Sequence, residues 1–540
     1  MFAVGARVED EGGARGTVRY VGPVATAKDA SALYYGIEWD AWGRGRNDGS
    51  VLLADGRRVQ HFAGPAGRGG AFKCSFVKNA VFDRSCQKCS SLLQRLRERY
   101  AGQVPSLSSR DGADVTVAGG VGTTLGSEKP IELVGVKKLG MQQTLQSIEK
   151  ISLSGCQISR LGDEERGATL DLLAPRLSEL DLSRNLFSSW TEILTVVRGL
   201  PLLETLILSG NRFVVEEGGE DGRDDEFENV KVLVLNQTLL PWHQVVKLVQ
   251  RHFPKLEQLH VVDNDYDDDQ LTQVEGVLET LTVLDLSLNR LTSWQRVQQV
   301  VGSAFTNLTQ LFLNDNRVVT LVDGADKAPA VFQKLTTLSL SNNLVDSWTS
   351  IDALNAYPRL DTLRLSKNPL TAQMSLGEAR MLVVARTDHI AVFNASPIRE
   401  KERQEAEQLY LKRILHELAV IGDISSEHEQ VLAAHPRYAR LRELYPEISI
   451  ESGGAGSNTS AAGPRKLASS LIKVSIIPMS MQATSLEPLV KKIPQQMKVS
   501  QLKLLIEAKF GVEVPSQLLS FRSDSRVSRH HKCRFRCVDS

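Results

Sequence analysis

The feature that most limits what this chain can fold into is one repeated phrase: Leu, two residues, Leu, one residue, Leu, two residues, Asn. It reads Leu177, Leu180, Leu182, Asn185, and again Leu203, Leu206, Leu208, Asn211. It returns at Leu256, Leu259, Val261, Asn264 and at Leu281, Leu284, Leu286, Asn289, then from Leu308 to Asn316, Leu335 to Asn343 and Leu360 to Asn368. Two weaker copies, Ile148, Ile151, Leu153, Cys156 and Val230, Leu233, Leu235, Thr238, complete the series. The closing residues fall at 156, 185, 211, 238, 264, 289, 316, 343 and 368, spaced 25 to 29 apart. Such a period implies stacked units, because no single unit can bury its own leucines. Each phrase is expected to give one short strand with its leucines inward. The Asn turns the chain and bonds backbone groups of the adjacent coil, a structural role and not a catalytic one.

Pattern and period are those of leucine-rich repeats, so residues 131–395 are read as an α/β solenoid. Three repeats carry Ser-Trp pairs, at Ser189-Trp190, Ser293-Trp294 and Ser347-Trp348. The Ser is expected to cap a short convex helix and the Trp to pack beneath it. Outward strand residues alternate with the core leucines. In the middle repeats they include Val232, Val234, His260, Val262, Val283 and Phe312, an apolar strip that suggests a partner site on the concave face. The acidic run from Glu216 to Glu228 lies between repeats and reads as a solvated loop. Asp263 to Asp269 imitates a calcium loop, but its sixth and twelfth places hold Asp268 and Val274 instead of Gly and Glu, so calcium is rejected.

Charge narrows the function. Lys+Arg and Asp+Glu are both 64, and a net charge of zero argues against a dedicated nucleic-acid binder. No run approaches the roughly 18 apolar residues of a membrane helix, and the opening MFAVGARVED has no signal-peptide pattern. Six cysteines in 540 residues do not make a disulfide framework, so a reducing cytoplasmic setting is expected. The Cys86-Gln87-Lys88-Cys89 pair lacks a second pair at zinc spacing. His530, His531, Cys533 and Cys537 are likewise read as unligated. With no P-loop, nucleophile elbow or metal constellation, the expectation is a non-enzymatic binding protein with no cofactor.

Residues 1–80 change character: short β-runs separated by glycine turns, suggesting a small all-β barrel. The segments GTVRYVG (Gly16–Gly22), GIEWD (Gly36–Asp40) and GRNDGS (Gly45–Ser50) follow one another, with Phe62 beyond them. In that order they resemble a CAP-Gly domain, a module that binds the acidic, aromatic-ended tails of α-tubulin and of microtubule-tip proteins. The resemblance implies a tail-binding loop at Asn47, Asp48 and Gly49, with Arg46 in the usual Lys place, and Trp39, Tyr34 and Phe62 around it. A glycine-flanked loop lets backbone N–H groups approach a carboxylate.

Beyond the repeats, Leu411, Ile414, Leu415 and Leu418 make one helical face, expected to cap the solenoid within 396–450. The stretch HIAVFNASPIREKERQEAEQLYL, with His435-Pro436-Arg437-Tyr438 downstream, is similar to the corresponding region of the tubulin-folding cofactor E family. That resemblance implies a chaperone that binds α-tubulin and works with other tubulin-folding cofactors in assembling and dismantling the αβ-heterodimer, cytoplasmic and cytoskeleton-associated. The alternative is a microtubule-associated scaffold or tip-binding protein without folding activity, which would use the same modules. The remaining segments are a helical segment and linker over 81–130, a linker over 451–470, and a domain over 471–540. Its strand, strand, helix, strand order resembles a ubiquitin-like α+β fold. This domain is expected to be incomplete, because Arg529 to Arg534 places a charged block where a closing strand should run. The alternative is a terminal edge strand, in which Cys533, Phe535 and Cys537 alternate with Arg534 and Arg536.

Overall fold

In the computed structural model each leucine phrase becomes a three-residue strand. The residues described are 2–29, 31–65, 71–85, 89–100, 145–162, 170–213, 225–273, 275–322, 331–421, 425–449, 471–478, 489–494, 497–510, 512, 514, 517–523 and 531–537. They fall into two compact units, Met1–Ile450 and Glu451–Ser540. Outside the described residues lie the central linker positions 101–130, the linker 451–470, most of the acidic run after Glu216, Cys86 and His530.

The solenoid strands form one sheet of eleven, in sequence order from Lys150–Ser152 to Val392–Phe393, closed by the antiparallel Ser396–Pro397. Register is strict and parallel, with Leu180 opposite Leu206, then Leu233, Leu259, Leu284, Leu311, Leu338 and Leu363. Each of these is buried, so one face of the sheet is a continuous wall of leucine. The asparagines sit at the inner bend. Asn185 Nδ2 donates to the Leu153 and Leu182 carbonyls at 2.8 and 2.9 Å, and its Oδ1 accepts from the Ile158 N–H at 3.0 Å. One amide thereby satisfies backbone groups in its own repeat and the preceding one. Where Thr238 replaces Asn, its hydroxyl donates to the Leu235 carbonyl at 2.9 Å.

Short helices form the convex side. Ser293 and Ser347 cap theirs by accepting from the Arg296 and Thr349 N–H groups, whereas Ser189 occupies the cap position without that bond. Trp190 and Trp294 are buried, and Trp348 is half-buried under the Arg386 guanidinium, 5.3 Å from its ring.

Helices pack at both ends of the repeats. At the start, Ser90–Ser91 pairs with Ile158–Arg160, and the helix Leu92–Tyr100 sinks Leu92, Leu93 and Leu96 into the solenoid core. At the end, the helices Leu376–Arg386, Glu400–Ile421 and Tyr438–Leu444 share a second core around Tyr410, Leu411, Ile414 and Leu441. That core is stitched by buried charge: Arg437 bonds Glu407 at 2.9 Å, and Arg386 pairs with Asp352 at 2.5 Å.

The N-terminal sheet runs in the order Arg7–Glu9, Arg15–Gly22, Tyr34–Trp39, Cys74–Lys78, antiparallel throughout. Its core of Val8, Val18, Tyr35, Ile37 and Trp39 also takes Phe82 from the helix Asn79–Ser85. The sheet rests on the first repeats through polar contacts. Gln157 donates to Glu9 at 2.9 Å, and Arg212 lies 3.8 Å from Asp40, which Arg7 also grips at 2.5 and 2.8 Å.

The second unit corrects the expectation of a missing strand. Leu471–Pro478 pairs antiparallel with Leu489–Pro494, and His531–Cys537 runs between Leu471–Pro478 and Gln517–Ser523 as an interior strand. The charges after Arg529 are not one block in strand terms. Lys532, Arg534 and Arg536 alternate with Cys533, Phe535 and Cys537 along this strand. The helix Val499–Phe510 buries Ile506 against Val474, Ile476 and Ile493. Among the described residues no helix is long and apolar enough to cross a membrane, and no group of three His, Cys, Asp or Glu is placed to hold a metal ion.

Candidate tail pocket and concave face

The loop before Ser50 is shaped by hydrogen bonds it makes to itself. Asn47 Oδ1 accepts from the Gly49 N–H at 3.0 Å, and the Asn47 backbone exchanges bonds with Cys74 at 3.0 and 3.1 Å. Gly49 has φ +88°, and a Cβ there would lie 2.2 Å from the Phe62 carbonyl oxygen, so only glycine fits. Asp48 turns away from the loop's open side. Its Oδ1 accepts from the Ser50 hydroxyl and N–H at 2.6 and 3.2 Å, and Oδ2 pairs with Arg58. The Ser50 hydroxyl is the main cause holding this carboxyl below its ordinary value. Phe62 packs against Gly36, where a Cβ would come within 2.4 Å of its ring, and stands edge-on to Phe76 at 5.6 Å.

Beside this frame opens a cavity of about 560 Å³, lined by Tyr34, Trp39, Arg44, Arg46, Asn47 and Phe76 among others. Trp39 is 4% exposed and its indole N–H has no hydrogen-bond partner among the described residues. The Arg44 guanidinium stacks 5.3 Å over the Trp39 ring and is ion-paired with Asp10. Arg46 is exposed and makes no ion pair among the described residues. Of the seven residues read from sequence, Tyr34, Trp39, Arg46 and Asn47 meet at the cavity, while Asp48, Gly49 and Phe62 build the wall that holds it. The Gly49 N–H is already used by Asn47. Sequence reasoning missed Arg44 and Phe76. The signal for Arg44 was its place two residues before Arg46, across a single glycine.

On the concave face, register sets Ile207, Val234, His260, Asp285 and Phe312 in one row. The row beside it holds Thr205, Val232, Gln258, Val283 and Gln310. All six residues read from sequence are half-buried, as exposed positions on a curved sheet should be. Their strip is interrupted, however. His260 Nδ1 lies 3.7 Å from Asp285, whose carboxyl burial would raise but whose hydrogen bonds from His260 and Ser287 bring down. An apolar patch of Ile207, Val232 and Val234 is thus separated from Phe312 by an ionisable pair. Ile207 escaped notice because Leu206, Ile207 and Leu208 are all apolar and hide the alternation.

Comparison with known proteins follows the same division. A CAP-Gly domain model matches residues 4–76 and a leucine-rich repeat model matches residues 244–420. Tubulin-folding cofactor E of Arabidopsis thaliana is 31% identical over 524 residues, covering 95% of this chain and 90% of that one. Human tubulin-specific chaperone E is 28% identical over 541 residues, covering 97% and 93%. A rat tubulin-specific chaperone cofactor E-like protein matches 50% of this chain at 32% identity. On the strength of a likeness that runs through the N-terminal sheet, the repeats and the helices beyond them, this chain belongs to the tubulin-folding cofactor E family.

Proposed function

We propose that this chain is a tubulin-folding chaperone that binds α-tubulin at two places and acts by binding alone. The acidic, aromatic-ended tail enters the cavity beside Arg46 and Asn47, and the folded body rests on the concave face around Val234 and Phe312. With other tubulin-folding cofactors the chain then takes part in assembling and dismantling the αβ-heterodimer in the cytoplasm. The observation that carries this reading is the cavity itself, in a member of this family. Aromatic walls at Tyr34 and Phe76 suit a terminal ring, and the unpaired Arg46 at the rim suits a carboxylate.

The helices over 396–450 serve as the solenoid's C-terminal cap, a role supported by the second core they form with Leu376–Arg386. Residues 471–540 constitute a ubiquitin-like domain. Its sheet, in which the last strand lies parallel to the first and between it and the third, supports that assignment. The test of the whole reading is a pull-down of soluble tubulin from cytosol with the full chain. Co-purification is expected, and it should be abolished by Val234→Asp with Phe312→Asp while the repeats stay folded. Undiminished tubulin on the double variant would remove the concave face from the account.

A further inference from the structure

We infer that Asp285, in the middle repeats of the concave face, receives a Lys or Arg side chain of the docked partner, so that the partner's matching surface is apolar around one cation. The inference rests on the concave-face reading above. Its basis is a half-buried carboxylate without a permanent countercharge. Register sets His260 and Phe312 on either side of Asp285, and Val283 precedes it on the same face. Leu284 and Leu286, which alternate with these residues, are buried in the core, so Asp285 belongs to the open side of the sheet.

Other carboxylates of the solenoid are already served. Glu179 pairs with Lys150 at 2.6 Å, Glu204 with Lys231 at 3.1 Å and Asp352 with Arg386 at 2.5 Å. Asp181, in the same row as Asp285, has no Lys or Arg pair among the described residues. Both its oxygens are nevertheless bonded, Oδ2 by the Ser152 hydroxyl at 2.7 Å and Oδ1 by the Ser183 N–H at 2.8 Å. Asp285 differs. Its Oδ1 accepts from the Ser287 N–H at 3.0 Å, which fixes the carboxylate in place. Its Oδ2 faces His260 Nδ1 at 3.7 Å, a cation only when protonated, and Asp285 makes no ion pair with Lys or Arg among the described residues. The next cation along the row is Arg364, three strands away, or about 14 Å at the usual spacing of strands. Burial works to raise the Asp285 carboxyl, yet bonds from His260 and Ser287 outweigh it and keep it ionised. The Asp285 side chain is 22% exposed, so a partner seated on Val283 and Phe312 strips its remaining water. An ionised carboxylate enclosed by apolar surface is strongly unfavourable. A cation on the covering surface removes that penalty and bonds the open Oδ2 edge.

The test uses the full chain and soluble tubulin whose C-terminal tails have been removed by protease, so that the concave face is read without the tail. Asp285→Asn keeps an acceptor for the Ser287 N–H and removes the charge. It should weaken binding about tenfold or more, the scale of one charge-assisted contact. Asp285→Leu decides the sign. Opposite a cation it leaves that cation unpaired and weakens binding further. On a partner without one it exchanges a desolvated carboxylate for an apolar contact and binds as well or better. Asp285→Glu returns the charge and should recover part of the loss, which a purely structural residue would not do. The urea midpoint of each variant, expected unchanged, shows that the repeats stay folded. If Asp285→Leu disturbs the fold, the Asn and Glu variants carry the test. Equal or tighter binding by Asp285→Leu would overturn the inference and leave the concave face in place, as would an Asp285→Glu variant no better than Asp285→Asn. Failure of the unsubstituted chain to bind tail-less tubulin would overturn the concave-face reading and this inference with it.

Discussion

The asparagines of the solenoid hold backbone groups, whereas the role proposed for Asn47 is to bind a peptide end. Asn289 Oδ1 accepts from the Asn264 and Tyr266 N–H groups at 3.0 and 3.1 Å, and Nδ2 donates to the Val261 and Leu286 carbonyls at 3.2 and 2.8 Å. All of these groups are buried, so Asn289→Ala strands them and should cost about 1–3 kcal/mol for each group left unpaired. Urea unfolding of the full chain will measure this; a loss under about 0.5 kcal/mol would mean that the ladder is not structural. Asn47 is half-buried, and its removal should tell on binding: about 1–3 kcal/mol on an acidic, aromatic-ended peptide. Unchanged affinity for Asn47→Ala would dismiss the loop as the tail contact. The structural role was legible in the sequence by its period, whereas the tail role proposed for Asn47 comes from the resemblance of GRNDGS to a known module. The role of Asp48 was not legible, because nothing in GRNDGS says that Ser50 and Arg58 will take its carboxylate.

Elements were legible where a pattern repeats and obscure where it occurs once. The nine phrases announced every solenoid strand from Lys150 to Arg364, since each must satisfy the same leucine wall. The helix Leu92–Tyr100 has no copy elsewhere, and its Leu92, Leu93 and Leu96 read equally well as part of a linker. Only packing shows that they close the solenoid. Leu96→Ala should therefore destabilise the repeats by about 2–5 kcal/mol, the range for a fully buried leucine; a stability unchanged in denaturant titration would return that helix to the linker. The C-terminal helices make a pH prediction. The Arg380 hydrogen bond is the main cause lowering Glu402, and burial pushes Glu417 up while bonds from His435 and Arg413 bring it lower. Both folded values lie below the unfolded one, so their stabilisation is complete above about pH 4.3 and lost as pH falls through the folded values. The melting temperature should be level from pH 7 to 5 and fall below about pH 4; a level profile to pH 3 would contradict these pairs. The closing strand His531–Cys537 reads from its alternation as an edge strand at most, yet it lies inside the sheet, between Leu471–Pro478 and Gln517–Ser523.

At the scale of the molecule, the order of parts was readable, because each part has its own pattern: short β-runs between glycine turns for the N-terminal sheet, and a period of 25 to 29 residues for the repeats. The joints were not readable. Asp40, Arg7 and Arg212 become one cluster only when the N-terminal sheet rests on the first repeats, and no pattern links positions so far apart in the chain. That contact puts on one body the two surfaces proposed to receive a partner, the cavity at Arg46 and Asn47 and the concave face at Val234. We propose that α-tubulin uses both. The most direct measurement is the affinity of the full chain for soluble tubulin, intact and with its C-terminal tails removed by protease. Two sites predict that tail removal weakens binding at least tenfold without abolishing it, since the second contact no longer gains from the first. They also predict that the Val234→Asp, Phe312→Asp variant fails to bind tail-less tubulin. Identical affinity for intact and tail-less tubulin would contradict the account, as would tail-less tubulin bound equally by the variant and the native chain.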